Sequence, residues 1–435
     1  MLIQNEKNFI KTLHLRRRKK YEKMYTCISK SCITLVKYFM IPFIYRKLFQ
    51  PSPKKLISLR NKFWIRSIFW DIFWFHSGLW LTLLIIILDK NFFSDIFYAT
   101  GVLFFWIAHR FSPFYLAWGT HSFRPLCKKQ PIRFIFSPLL ICVGVFIFIF
   151  YIPNHLLPFS VLERILFLFI IDFFWGAHHF AAQHYGILRI YQNFSKNKVS
   201  NFVKIEDRIF CWGVSGLIVI LAESIHGTSY LQEKNILPLS ISNWLFQEII
   251  FLKILGTTFV FGFTIYMIYK ALLYKSGYPK ILYLLGIGVM VMSAFQLEPF
   301  QFLMLWTLQH WLVSVGLASH MGGNDFKKTK RNYLIIFRNP KFIKLSENFI
   351  VLLPLCIFSI VVTPFFEIEA VSENRNITKT IFPGLVEWLN ESDRFLFFVA
   401  IGIATGFLHY WMDRCVYRIS DKETSKVAKK LIISR

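Results

Sequence analysis

Residues 163–191 read ERILFLFIIDFFWGAHHFAAQHYGILRIY, a long apolar stretch whose interior carries the carboxyl group of Asp172 and three histidines. A carboxyl group in the middle of a hydrocarbon-length helix is costly, so it usually has a partner or a function. On a helix of 3.6 residues per turn, Asp172, His179 and Gln183 fall within about 40° of one line. One stripe of this helix therefore presents an acid, an imidazole and an amide.

The composition of the chain is that of a polytopic membrane protein. Of its 435 residues, 55% are hydrophobic and 19% are aromatic, and apolar runs of helical length recur along the sequence. The formal net charge of +27 comes from 51 basic residues against 24 acidic residues. The basic residues concentrate in the N-terminal arm and in the connections between apolar runs, which indicates orientation in a membrane. We therefore expect the lipid bilayer, and not nucleic acid, as the main partner.

The apolar runs predict an all-α integral membrane bundle of about ten transmembrane helices, because each run is near the ~20 residues that a bilayer core requires. The predicted spans are 67–88, 94–110, 132–151, 163–188, 209–227, 243–270, 280–297, 299–320, 347–366 and 394–414. They define three predicted parts of the chain: a basic cytoplasmic arm with an interfacial amphipathic segment (1–66), a transmembrane domain (67–418) and a basic cytoplasmic tail (419–435).

The charges of the connections predict the orientation of these spans. Lysine and arginine are frequent in every second connection, whereas the connections between them carry few basic residues, and the one at 367–393 is acidic. The positive-inside rule then places both the N-terminus and the C-terminus in the cytoplasm. We expect an integral, multi-pass protein of a bacterial inner (cytoplasmic) membrane.

Eight of the twelve histidines collect at the cytoplasmic ends predicted for spans two, four, eight and ten and in one adjoining connection. A single imidazole at a helix end is commonly an interfacial residue, but the convergence of four helices indicates a metal or catalytic site. The seven cysteines are scattered singly, without the paired spacing of a disulfide framework or a zinc site. The predicted metal ligands are His109, His121, His178, His179, His184, His310, His320 and His409.

Two features of the sequence leave open whether these histidines converge on one site. Ser112 and Pro113 are expected to break the helix after His109, so His121 follows a turn rather than sharing a helix face with it. In projection, His310 and His320 lie about 80° apart, so both can reach one site only if the helix bends.

Three polar side chains are predicted to support the metal site: Asp172, Gln183 and Asp413, as carboxylate ligands or as groups that hold the ligands in place. Asp413 follows His409 by four residues, so the two share a helix face. A carboxylate in that position can fix the tautomer of a ligating histidine or bind the metal itself. The alternative for Asp413 is an ion pair with a nearby arginine.

The histidines also resemble those of a known group of enzymes. Many imidazoles, few carboxylates and no clustered thiols suit iron, copper or zinc rather than magnesium or calcium. Ala177-His178-His179-Phe180 with His184, and the total number of histidines, resembles the membrane-embedded histidine-box non-haem iron oxygenases, the fatty-acid desaturase and hydroxylase group. The resemblance implies two non-haem irons that activate oxygen. The spacing HHx4H differs from that of the family's boxes, and membrane carotenoid-cleaving oxygenases are closer in helix number.

Three functions remain open from the sequence. The first is a metal-dependent oxidoreductase of the oxygenase, desaturase or hydroxylase type, with iron (one or two ions), copper or zinc. Its expected partners are a lipid or other apolar substrate and an electron-donor protein. The second is a lipid acyl or glycosyl transferase with a histidine as general base. The third is a transporter with Asp172, Glu223, Glu248 and Lys253 as coupling groups.

Overall fold

The computed structural model describes residues 63–87, 101–153, 155–156, 159–194, 201–225, 239–329, 351–366, 384, 388, 392–418 and 420–433. This part of the chain is helical throughout, without a β-strand. The predicted interfacial segment in the arm 1–66, most of the connection 367–393 and the start of span 94–110 lie outside the described residues. Predictions that fall on them stay predictions.

The described α-helices are α1 (Ile68–Trp74), α2 (Ser77–Ile87), α3 (Ile107–Phe114), α4 (Arg124–Lys129), α5 (Ser137–Phe146), α6 (Val161–Phe194), α7 (Asn201–Trp212), α8 (Leu239–Leu273), α9 (Tyr278–Ser293), α10 (Pro299–Thr329), α11 (Leu352–Phe366), α12 (Ser392–Tyr417) and α13 (Lys422–Ile433). Wider, π-helical turns extend several of them without a break. These turns are Gly101–Trp106 and Tyr115–Gly119 around α3, Ile132–Phe136 and Ile147–Tyr151 around α5, and Gly213–Ile218 after α7.

Six helical segments in the described ranges are long and apolar enough to cross a membrane. They are Ile132–Tyr151, Val161–Phe194, Asn201–Ile225, Phe251–Leu273, Pro299–Phe326 and Arg394–Tyr417. The pair α1 and α2, bent by 61° at the break between them, makes a seventh if it is one span. These segments agree with an integral multi-pass membrane protein. Helix α9 and the apolar part of α11, Leu352–Thr363, are shorter.

The chain separates into two units, Met1–Lys62 with Ile225–Phe259 and Phe63–Ser224 with Val260–Arg435. The described part of the first unit includes the N-terminal portion of helix α8, up to Phe259. Every predicted site residue belongs to the second unit.

Helix α10 is the central helix of the second unit, because most of its residues are buried, whereas most of α5 faces outward. A glycine permits one close approach: a Cβ atom on Gly316 would overlap the ring of Trp74 on α1. Pro113 lies inside α3, so the break predicted there does not occur. The π-helical turn Tyr115–Gly119 follows directly, and such a turn accommodates a local change of hydrogen-bond register.

Helix α6 is fixed against its neighbours at both ends. Near its C-terminal end, Lys280 at the start of α9 donates hydrogen bonds to Gln192 at 2.9 Å and to Asp207 of α7 at 2.8 Å. Toward its N-terminal end, α6 packs with α5 and α12 in an apolar core that consists of Val145, Ile149, Ile165, Leu168, Val399, Ala400, Ile403 and Ala404. This packing sets the middle of α6 beside the middle of α12.

Candidate metal centre

Four histidine side chains from four helices meet in the interior: His109 of α3, His179 of α6, His310 of α10 and His409 of α12. The ring centroid of His409 lies 4.5 Å from that of His109 and 4.8 Å from that of His179. The centroid of His310 lies 5.1 Å from that of His109 and 4.9 Å from that of His179. All four are buried, with exposed fractions between 0% for His310 and 8% for His179. We call them the histidine cluster.

The carboxyl group of Asp413 joins the histidine cluster. Its Oδ2 atom lies 3.2 Å from Nε2 of His179 and 3.7 Å from Nε2 of His409. The first distance is that of a close ion pair if the imidazole is protonated. The prediction that Asp413 faces His409 across one helical turn agrees with this arrangement.

Two overlapping sets of side chains place their ligand atoms within 4.8 Å of one another. The first set is His109, His310 and His409, and the second is His179, His409 and Asp413. Metal ions bind imidazole nitrogen and carboxylate oxygen at about 2.0–2.2 Å, so the atoms of either set can surround one ion after small side-chain movements. The structure therefore contains a histidine cluster that could hold a metal ion.

Three ring nitrogens of the cluster are buried without a hydrogen bond, although the carboxyl group of Asp413 lies beside two of them. The Nε2 atoms of His179, His310 and His409 are buried without a hydrogen bond. A buried polar atom left unsatisfied costs about 1–3 kcal/mol, so three of them beside one another are unfavourable in a purely structural core. A metal ion between them would bind the lone pairs of all three.

The outward-facing atoms of the same rings are held by the protein. Nδ1 of His109 hydrogen-bonds the carbonyl oxygen of Trp106, and the ring of His409 hydrogen-bonds the backbone of Gly406. Nδ1 of His310 lies 2.8 Å from Oε1 of Gln183. Such contacts fix the tautomer that carries the proton on the outer nitrogen, which leaves the inner lone pair available to a metal.

Asp172 supports the cluster from a deeper position on the α6 stripe. Its carboxyl group is hydrogen-bonded by Tyr410, whose ring centroid lies 4.8 Å from that of His179 and 4.7 Å from that of His409. The Oδ1 atom of Asp172 has no hydrogen-bond partner. Tyr410 was not among the predicted site residues, although it follows His409 directly in the sequence.

Aromatic rings enclose the cluster. Phe180 stacks on the imidazole of His310 with ring centroids 3.8 Å apart, and Trp311 stacks on that of His109 at 5.7 Å. Trp311 serves as a wall, and such walls exclude water from the imidazoles.

Two predicted ligands on α6 lie outside the sets of approaching ligand atoms. His178 is exposed, and its Nδ1 accepts a hydrogen bond from Trp212 at 2.9 Å. His184 is buried, and its Nδ1 lies 2.9 Å from the hydroxyl group of Tyr283. A helix that turns one imidazole into the cluster must turn the imidazole of the next residue about 100° away.

His121 and His320 also lie apart from the cluster, near the C-terminal helix α13 and the end of α10. Nε2 of His320 lies 2.9 Å from the carbonyl oxygen of Ile432 in α13. The backbone N–H of His121 donates to Asp325 of α10 at 2.8 Å. These histidines therefore connect helices and loops.

Of the four coupling groups of the transporter interpretation, Asp172 and Glu223 lie in the second unit. Asp172 lies beside the histidines, and Oε1 of Glu223 is buried without a hydrogen bond. Lys253 belongs to the other unit, and the side chain of Glu248 lies outside the described residues.

An apolar groove, which we call the aromatic groove, lies between α3, α11 and α12. Its volume is about 470 Å³, within the ~300–1,000 Å³ of pockets that hold one small ligand. Arg110 and Leu408, the sequence neighbours of His109 and His409, line it. The other lining residues include Phe111, Phe114, Trp118, Phe358 and Thr405.

The donor set of the site is four imidazole nitrogens and one carboxylate oxygen, and none of the described cysteines belongs to it. Imidazole suits iron, copper and zinc, whereas magnesium and calcium prefer oxygen ligands. In comparisons with known proteins, no family model matches the chain, and no curated protein or solved structure is similar to it.

Proposed function

We propose that the protein is a membrane-embedded, metal-dependent oxidoreductase that acts on an apolar substrate. The observation that carries the proposal is the histidine cluster, in which inward nitrogens lack hydrogen bonds while outward atoms are held by the protein. Ordinary core histidines have their polar atoms satisfied by the protein. In a metal site, by contrast, the outer ring nitrogens are hydrogen-bonded to the protein and the inner ring nitrogens are free to bind the metal.

One metal ion fits the arrangement better than two. The two sets of approaching ligand atoms share His409, and a single Nε2 lone pair binds one ion. We therefore assign His109, His310 and His409 as ligands, with His179 and Asp413 completing the set. Iron is our first choice, because an imidazole and carboxylate set suits it, with copper and zinc as alternatives.

A bound iron ion would supply the redox chemistry and the activation of oxygen, while the chain's own residues bind, orient and shield it. Gln183 and the Trp106 carbonyl group set the planes of two ligating rings. Phe180 and Trp311 limit the access of water to the imidazoles. Asp172 and Tyr410 form a half-buried hydrogen-bonded pair beside two ligands.

The aromatic groove supports an apolar substrate. Residues at its inner end are direct sequence neighbours of His109 and His409, so a molecule in the groove lies close to the metal ligands. At its outer side, Trp118 is 46% exposed and Phe358 is 40% exposed among the described residues. A substrate dissolved in the bilayer could enter there without crossing water.

The orientation that we propose follows the basic connections. Ten spans with both termini in the cytoplasm would put the basic connections 110–133, 189–208 and 270–280 on the cytoplasmic side. The histidine cluster would then lie toward the cytoplasmic ends of its helices, where a soluble electron donor could approach.

The test is metal analysis of the purified full chain, with two adjacent histidines as a matched pair. We expect about one iron per chain in the wild type, loss of the metal in His179→Ala, and retention in His178→Ala, since these side chains point in different directions. A metal content far below one ion per chain, or an equal loss of metal in both variants, would rule out the proposed metal centre. Zinc as the sole metal would exclude the activation of oxygen at this site, because zinc has no redox chemistry of its own.

A further inference from the structure

A second polar layer lies one helical turn beyond the histidine cluster. Ser112 of α3 follows His109 by three residues, and Ser314 of α10 follows His310 by four. The ring centroids of the two histidines lie 5.1 Å apart, and the hydroxyl oxygens of the two serines lie 3.4 Å apart. Helices α3 and α10 therefore run in the same direction, and each places a hydroxyl group one turn after its imidazole.

Helix α12 adds a third hydroxyl group to this layer. Tyr417 is the last residue of α12, and its hydroxyl group lies close to those of Ser112 and Ser314. That hydroxyl group is buried without a hydrogen bond, although the residue as a whole is half-buried. Other atoms of Tyr417 therefore reach the surface at the end of α12. We call Ser112, Ser314 and Tyr417 the hydroxyl layer.

The two serines of the layer present oxygen lone pairs rather than protons. Ser112 donates its one hydroxyl proton to the carbonyl oxygen of His109 at 2.9 Å, so Ser314 is the donor in the contact between the serines. With its proton directed to Ser112, Ser314 can only accept further contacts. An oxygen atom in this state suits a cation.

A carboxylate oxygen connects the hydroxyl layer with the cluster. Asp413 lies one turn before Tyr417 on α12, and its Oδ1 is buried without a hydrogen bond. Its Oδ2 lies beside the imidazoles of His179 and His409. Carboxylate and hydroxyl oxygens attract a divalent cation, whereas the charge of Asp413 would repel an anion.

The aromatic walls of the cluster make a polar approach necessary for a metal ion. Phe180 covers the imidazole of His310, and Trp311 covers that of His109. A cation that passed between such rings would lose its water ligands without replacement, which is costly. Along the hydroxyl layer, protein oxygens can replace those water ligands one after another.

We infer that the hydroxyl layer is the path by which a divalent metal ion enters the histidine cluster, with Tyr417 as its gate. The ion passes Tyr417, exchanges water ligands for oxygens of Ser314 and Asp413, and moves on to the imidazoles. In the orientation proposed above, the gate opens to the cytoplasm. This path rests on the metal centre of the proposed function.

The test measures how fast the metal-free full chain, purified in detergent, takes up and releases Fe²⁺ in the absence of oxygen. Uptake is stopped with a chelator after set times, and release is followed in an excess of the same chelator. A residue of the path changes both rates by the same factor, because the equilibrium dissociation constant does not depend on the path. A metal ligand changes that constant.

Two substitutions at Tyr417 should act in opposite directions. Tyr417→Ala opens the gate and should raise both rates about tenfold, whereas Tyr417→Phe keeps the ring, removes the oxygen and should lower both rates about tenfold, the ratio for losing one contact of hydrogen-bond strength. A merely structural role of Tyr417 would not produce opposite signs.

The serines provide a second pair of variants. Ser314→Ala should lower both rates about tenfold, and Ser314→Thr, which retains a hydroxyl group, should restore them. Ser215→Ala is the matched control and should leave both rates unchanged. Ser215, in the wider turn after α7, is also buried, and it donates to the carbonyl oxygen of Cys211 at 2.7 Å.

The inference is overturned if both Tyr417 variants change the rates in the same direction, or if Ser215→Ala slows uptake as much as Ser314→Ala. The equilibrium measurement separates the two proposals. Wild-type protein that binds Fe²⁺, with unchanged rates in every variant, retains the metal centre and removes the path. Wild-type protein that binds no Fe²⁺ at equilibrium removes the metal centre and the path together.

Discussion

Helix α10 carries two buried histidines ten residues apart whose surroundings differ. His310 is 0% exposed and His320 is 4% exposed. Nε2 of His310 has no hydrogen bond and faces the other cluster imidazoles, whereas Nε2 of His320 lies 2.9 Å from the carbonyl oxygen of Ile432. Burial alone therefore does not distinguish a metal ligand from a structural histidine. In α10 the two histidines differ in the partner of the second ring nitrogen. Nε2 of His184 also lacks a hydrogen bond but lies outside the sets of approaching ligand atoms, so a metal ligand is identified by the free nitrogen together with the approach of other ligand atoms.

The same contrast extends to the neighbouring polar side chains. The inner group consists of His310, the amide of Gln183 and the carboxyl group of Asp413. The outer group consists of His320, Asn324 and Asp325, which hydrogen-bond Ile432, Leu431 and the start of the segment 121–122. The inner group lies around the space between the cluster imidazoles, whereas the outer group connects segments of the chain by hydrogen bonds. Each inner residue thus has an outer counterpart of the same chemical type.

The largest difference is expected between the two histidines. His310→Ala should remove a metal ligand and lower the bound metal to a small fraction of that in the wild type, with His320→Ala close to the wild-type level. His320→Ala should instead lower the free energy of unfolding by about 1–3 kcal/mol, because it leaves a buried carbonyl group unpaired. Metal analysis and thermal unfolding of both variants check this, and metal loss in His320→Ala would remove the distinction.

The two carboxylates should differ next. Asp413→Asn should weaken metal binding about 10–100-fold, as loss of a weak ligand or of a group that orients ligands does. Asp325→Asn should leave metal affinity unchanged, since Asp325 accepts from backbone N–H groups of His121 and Ser122. Competition with a chelator measures both affinities. An unchanged affinity in Asp413→Asn would place Asp413 outside the metal site.

A smaller effect is expected for the two amides. Gln183→Leu removes the acceptor for Nδ1 of His310, so the ring loses its fixed tautomer, and metal affinity should fall about tenfold. Asn324→Leu removes a donor to the carbonyl oxygen of Leu431 at 2.6 Å and should lower stability without changing metal affinity. Equal affinities in the two variants would show that the orientation of His310 does not depend on Gln183.

Helical periodicity was sufficient to predict the inner stripe of α6. It placed Asp172, His179 and Gln183 on one line, and the structure brings all three beside the cluster. Composition and apolar runs likewise predicted a helical membrane protein, which the six long apolar helices support. These features can be predicted from the local sequence pattern because each depends on residues within one helix.

Periodicity could not separate His310 from His320, because the distinguishing partner of His320 lies 112 residues further along the chain. The partner of the His121 backbone, Asp325, is 204 residues away. Such contacts depend on how helices pack, and one sequence does not specify that packing. The number of spans is equally hard to predict at α1 and α2, because a bend of 61° divides one predicted apolar run.

The smallest effect is expected at the start of α13, in the outer region and beyond the last membrane-spanning segment. Oδ1 of Asp421 accepts a hydrogen bond from the backbone N–H of Thr424 at 2.8 Å, and its Oδ2 lies 3.5 Å from Nη1 of Arg133. The hydrogen bond from Thr424, with the charge of Arg133, lowers the pKa of Asp421 below its ordinary value of 3.8. Because the folded state favours the ionised carboxylate, its stabilisation is present above that ordinary pKa and is lost as pH falls through the lowered value. The side chain of Asp421 is 32% exposed, so solvent screens its interactions and the contribution is at most about 1 kcal/mol.

Hydrogen exchange at the amides of Thr424 and Ser425, compared with an unstructured peptide at each pH, measures this cap. Protection should fall below about pH 4 in the wild type, where the carboxyl group gains its proton. Asp421→Asn can still cap the helix but does not titrate, so its protection should be nearly constant over the same range. If both proteins lose protection alike, the acid acts elsewhere in the outer region, and α13 depends on the contacts of His320 and Asn324 rather than on its first turn.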